Sequence, residues 1–157
     1  MFAVSQYYLI TFYMRYYVLK ELMDNRHIVV FDGVCHVCNG AVNFIIKRDP
    51  DNKFVFVPMQ SDIAHKLMEK YKIHNVGVDT FLLIKDNQCF VFSSAALEIA
   101  KELTGCWYML GILTLVPRVI RDFFYKAFAR NRYTLFGRQE MCMVPTKEIK
   151  SRFMGSE

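Results

Sequence analysis

Two cysteines three positions apart are the residues of this sequence with the clearest chemical meaning. Cys35 and Cys38 follow the apolar run HIVVFD and open a segment with helical periodicity. In the first turn of a helix, this spacing brings the two sulfurs within reach of a disulfide bond. The free N–H groups and the positive dipole end of such a turn favour a thiolate at Cys35. A thiolate attacks disulfides and a neighbouring thiol resolves the mixed disulfide, so the pattern predicts thiol–disulfide exchange.

Other uses of a cysteine pair need further residues at suitable spacing. A structural zinc site takes four ligands, commonly with a second close pair of Cys or His residues. The remaining candidates are isolated in the sequence: Cys89, Cys106, Cys142, His65 and His74. Haem attachment requires a histidine directly after the second cysteine, and Asn39 occupies that position. We therefore predict neither a metal nor a cofactor, and a zinc-binding module and two inert buried thiols are the remaining alternatives.

The elements around the cysteine pair are predicted to follow the order β-α-β-α-β-β-α. Apolar, β-branched runs bounded by turn formers predict strands at His27–Asp32, Lys53–Val57, Thr80–Lys85 and Cys89–Phe92. Apolar stripes at helical spacing predict the helices, with Ser61 and either Ser93 or Ser94 as N-caps. A helical connection makes the first two strands parallel, and the tight turn at 86–88 makes the last two an antiparallel hairpin. This arrangement predicts a thioredoxin-like α/β fold with an added C-terminal helical basic segment.

Length and composition agree with one folded domain. The chain has 157 residues, 54% hydrophobic and 22% charged, so it is long enough to bury a core and too apolar to be disordered. Its 5 cysteines are too few for a disulfide-stapled scaffold. We divide the chain into an N-terminal extension, residues 1–26, and a thioredoxin-like domain, residues 27–157. Met23 directly precedes DNRHIVVFDG, so residues 1–22 are interpreted as an over-extended start or a loosely attached helix.

The basic excess of the chain is confined to one segment. Residues 1–117 contain 11 basic and 11 acidic side chains, whereas residues 118–153 contain 9 basic and 3 acidic ones. A nucleic-acid-binding domain spreads basic residues over its reading surface and carries a recognisable binding motif. This sequence shows neither feature, so we predict no nucleic-acid partner.

Two apolar stretches are shorter than the roughly 20 residues that cross a bilayer. Arg15 interrupts the first stretch, which has no basic start and no clear cleavage site and is therefore a poor secretory signal. The second runs from Leu103 to Pro117, contains Gly105 and Gly111, and is predicted to be a buried helix. We predict a cytoplasmic protein, with membrane association as an alternative.

The segment after Pro117 is predicted to form a basic amphipathic helix. Apolar side chains, mostly phenylalanines, recur at helical spacing on one face, and basic side chains from Arg118 to Arg130 line the other. Such a helix lies on an anionic membrane, or it packs its phenylalanines on the core and leaves a solvated basic face. We favour packing on the core and keep peripheral membrane contact through Arg118 to Arg130 as the alternative.

Three segments together resemble the DCC family of predicted thiol-disulfide oxidoreductases. They are FDGVCHVCNGAVNFIIKRDP, SSAALEIAKEL, and NRYTLFGR with Cys142 after it. The resemblance extends from about Ile28 to the C-terminus, and its D-G-x-C-x-x-C signature begins at Asp32. It implies a thioredoxin-like fold and redox chemistry at Cys35 and Cys38, and it does not identify the substrate.

One position departs from the pattern of thioredoxins, which carry a cis-proline just before the third strand. The tripeptide VDT occupies residues 78–80 here, so a proline-based grip on substrates is not expected. Asp79 and Asp32 are candidates for proton transfer with the cysteine pair or for raising its pKa. The alternatives are a turn residue at Asp79 and a helix-approach cap at Asp32. A protonated His36 would favour a thiolate at Cys35, unless His36 is only an exposed spacer.

The predicted function is therefore thiol–disulfide exchange at Cys35 and Cys38. Its partners are a disulfide-containing substrate and an upstream thiol reductant, neither of which the sequence identifies. The alternative is a non-catalytic, thioredoxin-like binding or membrane-peripheral module, in which Cys35 is not reactive. Cys142 is a third redox thiol or, as we favour, a packed cysteine, and Cys89 and Cys106 are predicted to lie in the core.

Overall fold

The computed structural model describes residues 26–73, 81–138 and 149–154. Nearly all of the predicted N-terminal extension lies outside the described residues, as do Asp79 and Cys142. The division of the chain at residue 26 therefore stays a prediction.

Within the described residues, four strands and four α-helices follow one another in the predicted order. The strands are β1 (His27–Phe31), β2 (Phe54–Pro58), β3 (Leu82–Lys85) and β4 (Gln88–Val91). The helices are α1 (His36–Ile46), α2 (Asp62–Lys70), α3 (Phe92–Glu102) and α4 (Arg118–Phe136). A 3₁₀ segment at Cys106–Leu115 joins α3 to α4, and a short 3₁₀ turn lies at Lys150–Arg152.

The strands form one mixed sheet in the order β2-β1-β3-β4. β1 and β2 run parallel, with Val29 opposite Phe56, because α1 carries the chain back along the sheet. β3 runs antiparallel to both β1 and β4. Asp86 and Asn87 form the two-residue turn of the β3–β4 hairpin, and both have the positive φ that this turn requires. The predicted thioredoxin-like α/β fold is confirmed.

The alternation of side chains along β1 divides the core between the two faces of the sheet. Val29 and Phe31 lie on one face, where they pack with α1 and α3. Ile28 and Val30 lie on the other face, where they pack with α2. The cysteine pair belongs to the first of these clusters. The dithiol is therefore enclosed between the sheet and the helices on the α1 and α3 side.

One predicted helix cap is confirmed and the other is wrong. Ser61 caps α2, because its Oγ accepts a hydrogen bond from the N–H of Ala64 at 3.3 Å. Neither Ser93 nor Ser94 caps α3, which begins earlier in the chain, at Phe92. The N–H of Ser93 instead donates to an Asp122 carboxylate oxygen at 3.3 Å. This serine therefore ties α3 to α4 instead of starting a helix.

The apolar stretch at 103–117 is not the predicted buried helix. After a bend at residues 103–105 it becomes the 3₁₀ segment along α3, and Tyr108 and Leu115 are exposed. Because apolar side chains surround this segment, only one side of it can contact α3. The core position predicted for Cys106 is wrong for the same reason, since Cys106 is exposed. Among the described residues, no helix is long and apolar enough to cross a membrane.

α4 packs on the protein with its polar side, which reverses the favoured prediction. Asp122 accepts a hydrogen bond from Ser93, and the hydroxyl of Tyr125 accepts one at 3.3 Å from the backbone just before β3. Phe123 and Phe124 are each 68% exposed, so the prediction that the phenylalanines pack on the core is wrong. Polar contacts with specific partners fix the orientation of this helix more strongly than burial of its apolar face.

Glu102, at the end of α3, connects two lysines beside the sheet. Its carboxylate accepts hydrogen bonds from Lys85 at 2.5 Å and from Lys53 at 3.1 Å. The hydrogen bond from Lys85 lowers the pKa of Glu102 to about 2, with help from Lys53 and against the effect of burial. Because the folded-state pKa lies below the ordinary value of 4.5, these contacts stabilise the fold above pH 4.5 and are lost as the pH falls towards 2.

We expect Glu102→Gln to lower the free energy of unfolding at pH 7 by about 1 kcal/mol, because the two pairs are partly exposed. The wild-type and variant proteins are expected to converge as the pH falls from 4.5 to 2. Urea unfolding at a series of pH values measures both effects. Glu69→Gln, an exposed change of the same type on α2, is the control. A difference that stays constant down to pH 2 would contradict this role for Glu102.

Candidate active site

Cys35 is the N-cap residue of α1, and its sulfur faces the first turn of that helix. Cys35 Sγ accepts a hydrogen bond from the N–H of Cys38 at 3.4 Å. The carbonyl of Cys35 accepts a second one from the N–H of Asn39 at 3.0 Å, which closes the turn. Both cysteines are free thiols. A negative charge on Cys35 Sγ is therefore stabilised by a backbone donor and by the helix dipole.

Cys38, like Cys35, is buried in the core on the α1 and α3 side of the sheet. Its side chain is only 5% exposed. Burial raises the pKa of Cys38, and the hydrogen bond and charge of Cys35 raise it further. The nearby Arg132 acts in the opposite direction, while Asp32 adds to the rise. The pair is therefore asymmetric, with a protonated Cys38 thiol beside a sulfur that receives a backbone donor.

A buried carboxylate lies next to the pair. Asp32 directly follows β1 and is 2% exposed. Its Oδ1 accepts hydrogen bonds from Gln60 Nε2 at 2.9 Å and from the N–H of Val34 at 3.1 Å. Its Oδ2 accepts from Arg132 Nη2 at 2.8 Å and from the hydroxyl of Tyr133. Burial alone would raise the pKa of Asp32, but these donors outweigh it and hold the pKa below its ordinary value.

The chain that follows α4 covers Cys35. The side chain of Cys35 is 0% exposed, and an isolated antiparallel bridge joins its backbone to that of Arg138. Gly137 brings Arg138 to this place with a φ of +77°, a conformation that favours glycine. A β-carbon at Gly137 would stand 3.7 Å from His36 Cδ2, so the cover also borders the first residue of α1. A bulky disulfide therefore reaches Cys35 only when this cover moves aside.

A cavity of about 290 Å³ leads from Cys38 towards the surface. Cys38, Asp32 and Arg132 line its buried, polar end. The other walls are mainly apolar side chains of α1, α3, the 3₁₀ segment and α4. Trp107 and Phe128 line the cavity and are also exposed, so its mouth lies between the 3₁₀ segment and α4. The arrangement joins a thiol and an ion pair to an apolar entrance.

The protein family of this site follows from a comparison of the whole sequence. A family model described as DCC1-like thiol-disulfide oxidoreductase matches residues 29–138. This chain belongs to the DCC1-like thiol-disulfide oxidoreductase family. The matched range includes Asp32, both cysteines and Arg132, and it ends at Arg138 beside Cys35. Membership of the DCC1-like family supports a redox role for the protein.

Two relatives agree with this assignment. The chain is 41% identical to the uncharacterized protein YuxK of Bacillus subtilis (strain 168) over 135 residues, which are 86% of this chain and 98% of that protein. It is 33% identical over 120 residues to a chloroplastic DCC family protein of Arabidopsis thaliana, with 76% of this chain and 70% of that protein covered. No solved structure matches the chain significantly. The predicted resemblance to the DCC family is confirmed.

The DCC1-like site brings together three of the residues that were predicted from the sequence. Cys35, Cys38 and Asp32 lie within one buried cluster around the start of α1. His36 is exposed in the first turn of that helix. Asp79 lies outside the described residues, so its part in proton transfer stays a prediction.

Cys89 lies in the sheet, apart from the cysteine pair. Cys89 of β4 is partly buried on the α2 side of the sheet, where burial raises its pKa to about 11. Within the ranges that the structure describes, no group of three or more His, Cys, Asp or Glu side chains is arranged to hold a metal ion.

The sequence patterns did not point to Arg132, Tyr133 or Gln60. A basic residue on an amphipathic helix is typically solvated, yet Arg132 is 2% exposed. One signal was available, because Arg132 and Tyr133 belong to NRYTLFGR, a segment that carries the DCC resemblance. Tyr133 also stands four residues after Ala129, which is buried, so both lie on the side of α4 that faces the protein. Gln60 lies in the turn after β2, where periodicity gives no information.

Proposed function

We propose that this protein is a dithiol–disulfide exchange enzyme in which Cys35 attacks and Cys38 resolves. The observation that carries the proposal is the hydrogen bond from the N–H of Cys38 to Cys35 Sγ at the start of α1. This bond stabilises a thiolate on Cys35, which is the reactive form in exchange. The raised pKa of Cys38 keeps that thiol protonated at neutral pH, so it does not compete as the first nucleophile.

Exchange proceeds in two steps that conserve atoms and electrons. The Cys35 thiolate attacks one sulfur of the substrate disulfide, forms a mixed disulfide and releases the other sulfur as a thiolate, which takes up a proton. Cys38 then loses its proton and attacks Cys35 Sγ, which forms the Cys35–Cys38 disulfide and releases the second substrate thiol. Two electrons pass to the substrate, and a separate thiol reductant returns two electrons to the pair.

The buried ion pair assists the second step. The positive charge of Arg132 lowers the pKa of Cys38 against the effect of burial, and so it favours a thiolate at the moment of resolution. Asp32 holds Arg132 in place through the 2.8 Å hydrogen bond. An ionised Asp32 with its oxygens already engaged is a poor proton acceptor. Its contacts therefore favour a positioning role, together with its contribution to the raised pKa of Cys38.

A redox titration of the full chain against glutathione tests the proposal. We expect Cys35 and Cys38 to oxidise together in a single two-electron transition, with exposed Cys106 outside the pair. Alkylation of the remaining thiols and mass spectrometry of the peptides identify the linked cysteines. A potential below that of the glutathione pool indicates a reductase, and one above it indicates an oxidant. A pair that stays reduced in excess oxidised glutathione would contradict exchange and favour a non-catalytic module.

A further inference from the structure

The exposed apolar side chains of this protein are gathered on one surface. All large hydrophobic side chains that are exposed in the described residues lie between positions 107 and 136, in the 3₁₀ segment and α4. Leu115 and Val119 are 81% and 82% exposed, and Phe123 and Phe124 are each 68% exposed. Folded proteins rarely leave a contiguous apolar surface of this kind without a binding partner.

The attachment of α4 fixes the direction of this surface. Asp122, Tyr125 and Arg132 all make their hydrogen bonds towards the body of the protein. Phe123 and Phe124 therefore point away from it, because one side of the helix is already engaged. A rotation that buried the phenylalanines would break the ion pair between Arg132 and the carboxylate beside the dithiol.

Positive charges border the exposed phenylalanines. Lys126 and Arg130 are exposed and stand four residues apart, so they form one row next to Phe123 on the helix surface. Asp122 is the only acidic residue of the α4 sequence, and it is engaged with Arg118 at 3.2 Å. We call the outward side of the 3₁₀ segment and α4, with its bordering Lys126 and Arg130, the apolar-basic face.

Charge distinguishes the partners that this face would fit. A symmetric contact with a second copy would bring two basic surfaces together, which is unfavourable. Residues 1–22 carry Arg15 and Lys20 against Glu21, so this segment is not complementary in charge either. The surface of an anionic bilayer supplies both an apolar layer and negative charge. Aromatic side chains such as Trp107 also favour the boundary between lipid and water.

We propose that the apolar-basic face binds the surface of membranes that contain anionic phospholipids, with α4 lying parallel to that surface. Phe123 and Phe124 enter the boundary of the acyl chains. Arg130 reaches the phosphate groups, and so does Lys126 when its ammonium leaves the Phe92 ring, whose centroid lies 4.5 Å away. The interaction combines apolar burial with electrostatic attraction, so neither contribution alone is sufficient for stable binding.

The cavity beside the dithiol opens within the apolar-basic face. Its mouth is formed by Trp107 and Phe128, and Cys38 lies at its inner end. Membrane binding therefore turns the entrance towards the lipid, where disulfides with apolar substituents enter it and reach Cys35 once the segment at Arg138 has moved aside. This assignment of a substrate class rests on the proposed exchange function, whereas the membrane contact does not.

Trp107 is the one tryptophan of the chain, so its fluorescence reports directly on the apolar-basic face. The full chain is mixed with vesicles of phosphatidylcholine, with or without phosphatidylserine, in which some lipids carry bromine on their acyl chains as a contact quencher. We expect strong quenching of Trp107 only with phosphatidylserine, and we expect added salt to reverse it. Equal quenching in both vesicles, or none in either, would overturn the proposal.

Two pairs of substitutions separate the apolar and the electrostatic contributions. Phe123→Ser with Phe124→Ser is expected to weaken vesicle binding at least about tenfold, through lost apolar burial. Lys126→Gln with Arg130→Gln is expected to weaken it by about tenfold to thirtyfold. The matched control, Lys66→Gln with Lys70→Gln, has the same spacing and charge change on α2, across the sheet, and is expected to bind like the wild type. Equal weakening by the control pair would contradict a role for this particular face.

Further measurements separate the membrane contact from other partners and from the exchange function. Concentration-dependent dimers in sedimentation, without vesicle binding, would assign the face to a second copy and overturn the proposal. If an aqueous quencher did not reach Trp107 in the lipid-free monomer, we would assign the face to contact with residues 1–22, and this result would also overturn the proposal. Phe123→Ser with Phe124→Ser is expected to leave exchange with a soluble disulfide unchanged. Failure of membrane binding and failure of exchange are therefore distinguishable.

Discussion

Replacing Cys35 by serine is expected to abolish dithiol–disulfide exchange. The serine hydroxyl still accepts the N–H of Cys38 at the start of α1, so the helix cap and the fold are retained. The nucleophile is lost, because a thiolate is the attacking species in exchange and a serine hydroxyl is not ionised at neutral pH. The expected rate with a model disulfide is that of the uncatalysed reaction with the reductant.

Cys38→Ser is expected to give the complementary result. The first attack still occurs, but the mixed disulfide on Cys35 is not resolved, and it accumulates as an adduct that mass spectrometry detects. Cys106→Ser is the control, because Cys106 is exposed and lies outside the site, and it should react at the wild-type rate. Equal activity of Cys35→Ser and the wild type would contradict the mechanism. An adduct on Cys38 in the Cys35→Ser protein would show that Cys38 is the attacking thiol and Cys35 the resolving one.

Replacing Arg132 by methionine is expected to lower the free energy of unfolding by about 3–5 kcal/mol, because a buried charge loses its partner. Asp32 is 2% exposed and would keep its charge without the 2.8 Å hydrogen bond from Arg132. Against the effect of burial, the donors around Asp32 hold its folded-state pKa below the ordinary value, with Tyr133 contributing most and Arg132 least. These contacts therefore stabilise the fold near neutral pH and lose this effect in acid. Urea unfolding of the reduced protein should therefore show a larger difference at neutral pH than in acid.

Two further variants test whether the lost ion pair causes the expected fall in the free energy of unfolding. Asp32→Asn combined with Arg132→Met removes both charges and is expected to recover part of the lost stability. Lys53→Met breaks a partly exposed pair with Glu102 and is expected to cost much less. If Arg132→Met alone were as stable as the wild type, the ion pair would not be what holds α4 against the site.

The features of this fold that could be predicted from the sequence are those that depend on residues close together in the chain. The strands, the cap at Ser61 and the turn at Asp86 and Asn87 depend on local backbone preferences, and the structure has them close to the predicted positions. The orientation of α4 depends on residues far along the chain, since Arg132 meets a carboxylate 100 positions earlier. An amphipathic pattern does not state which face has such partners, so the rule that apolar faces turn inward gave the wrong answer.

The candidate site also has local features that the sequence predicts and long-range contacts that it does not. The C-x-x-C spacing is local, and it was sufficient to predict two thiols at the start of a helix. The backbone bridge between Cys35 and Arg138 and the engagement of Asp32 by Arg132 both require α4 to be in place. These contacts join segments that are remote in sequence, so periodicity and spacing carry no information about them.

The ion pair between Asp32 and Arg132 cannot form until the ribosome has added Arg132, long after Asp32. Translation adds about 5–20 residues per second. Arg132 follows Asp32 by 100 positions, so it is added roughly 5–20 s later. During this interval the nascent chain carries its two thiols without α4 and without the cover that Arg138 provides. The dithiol is accordingly most vulnerable to unwanted oxidation while the polypeptide is still being made, and synthesis and folding of α4 and Arg138 end that period.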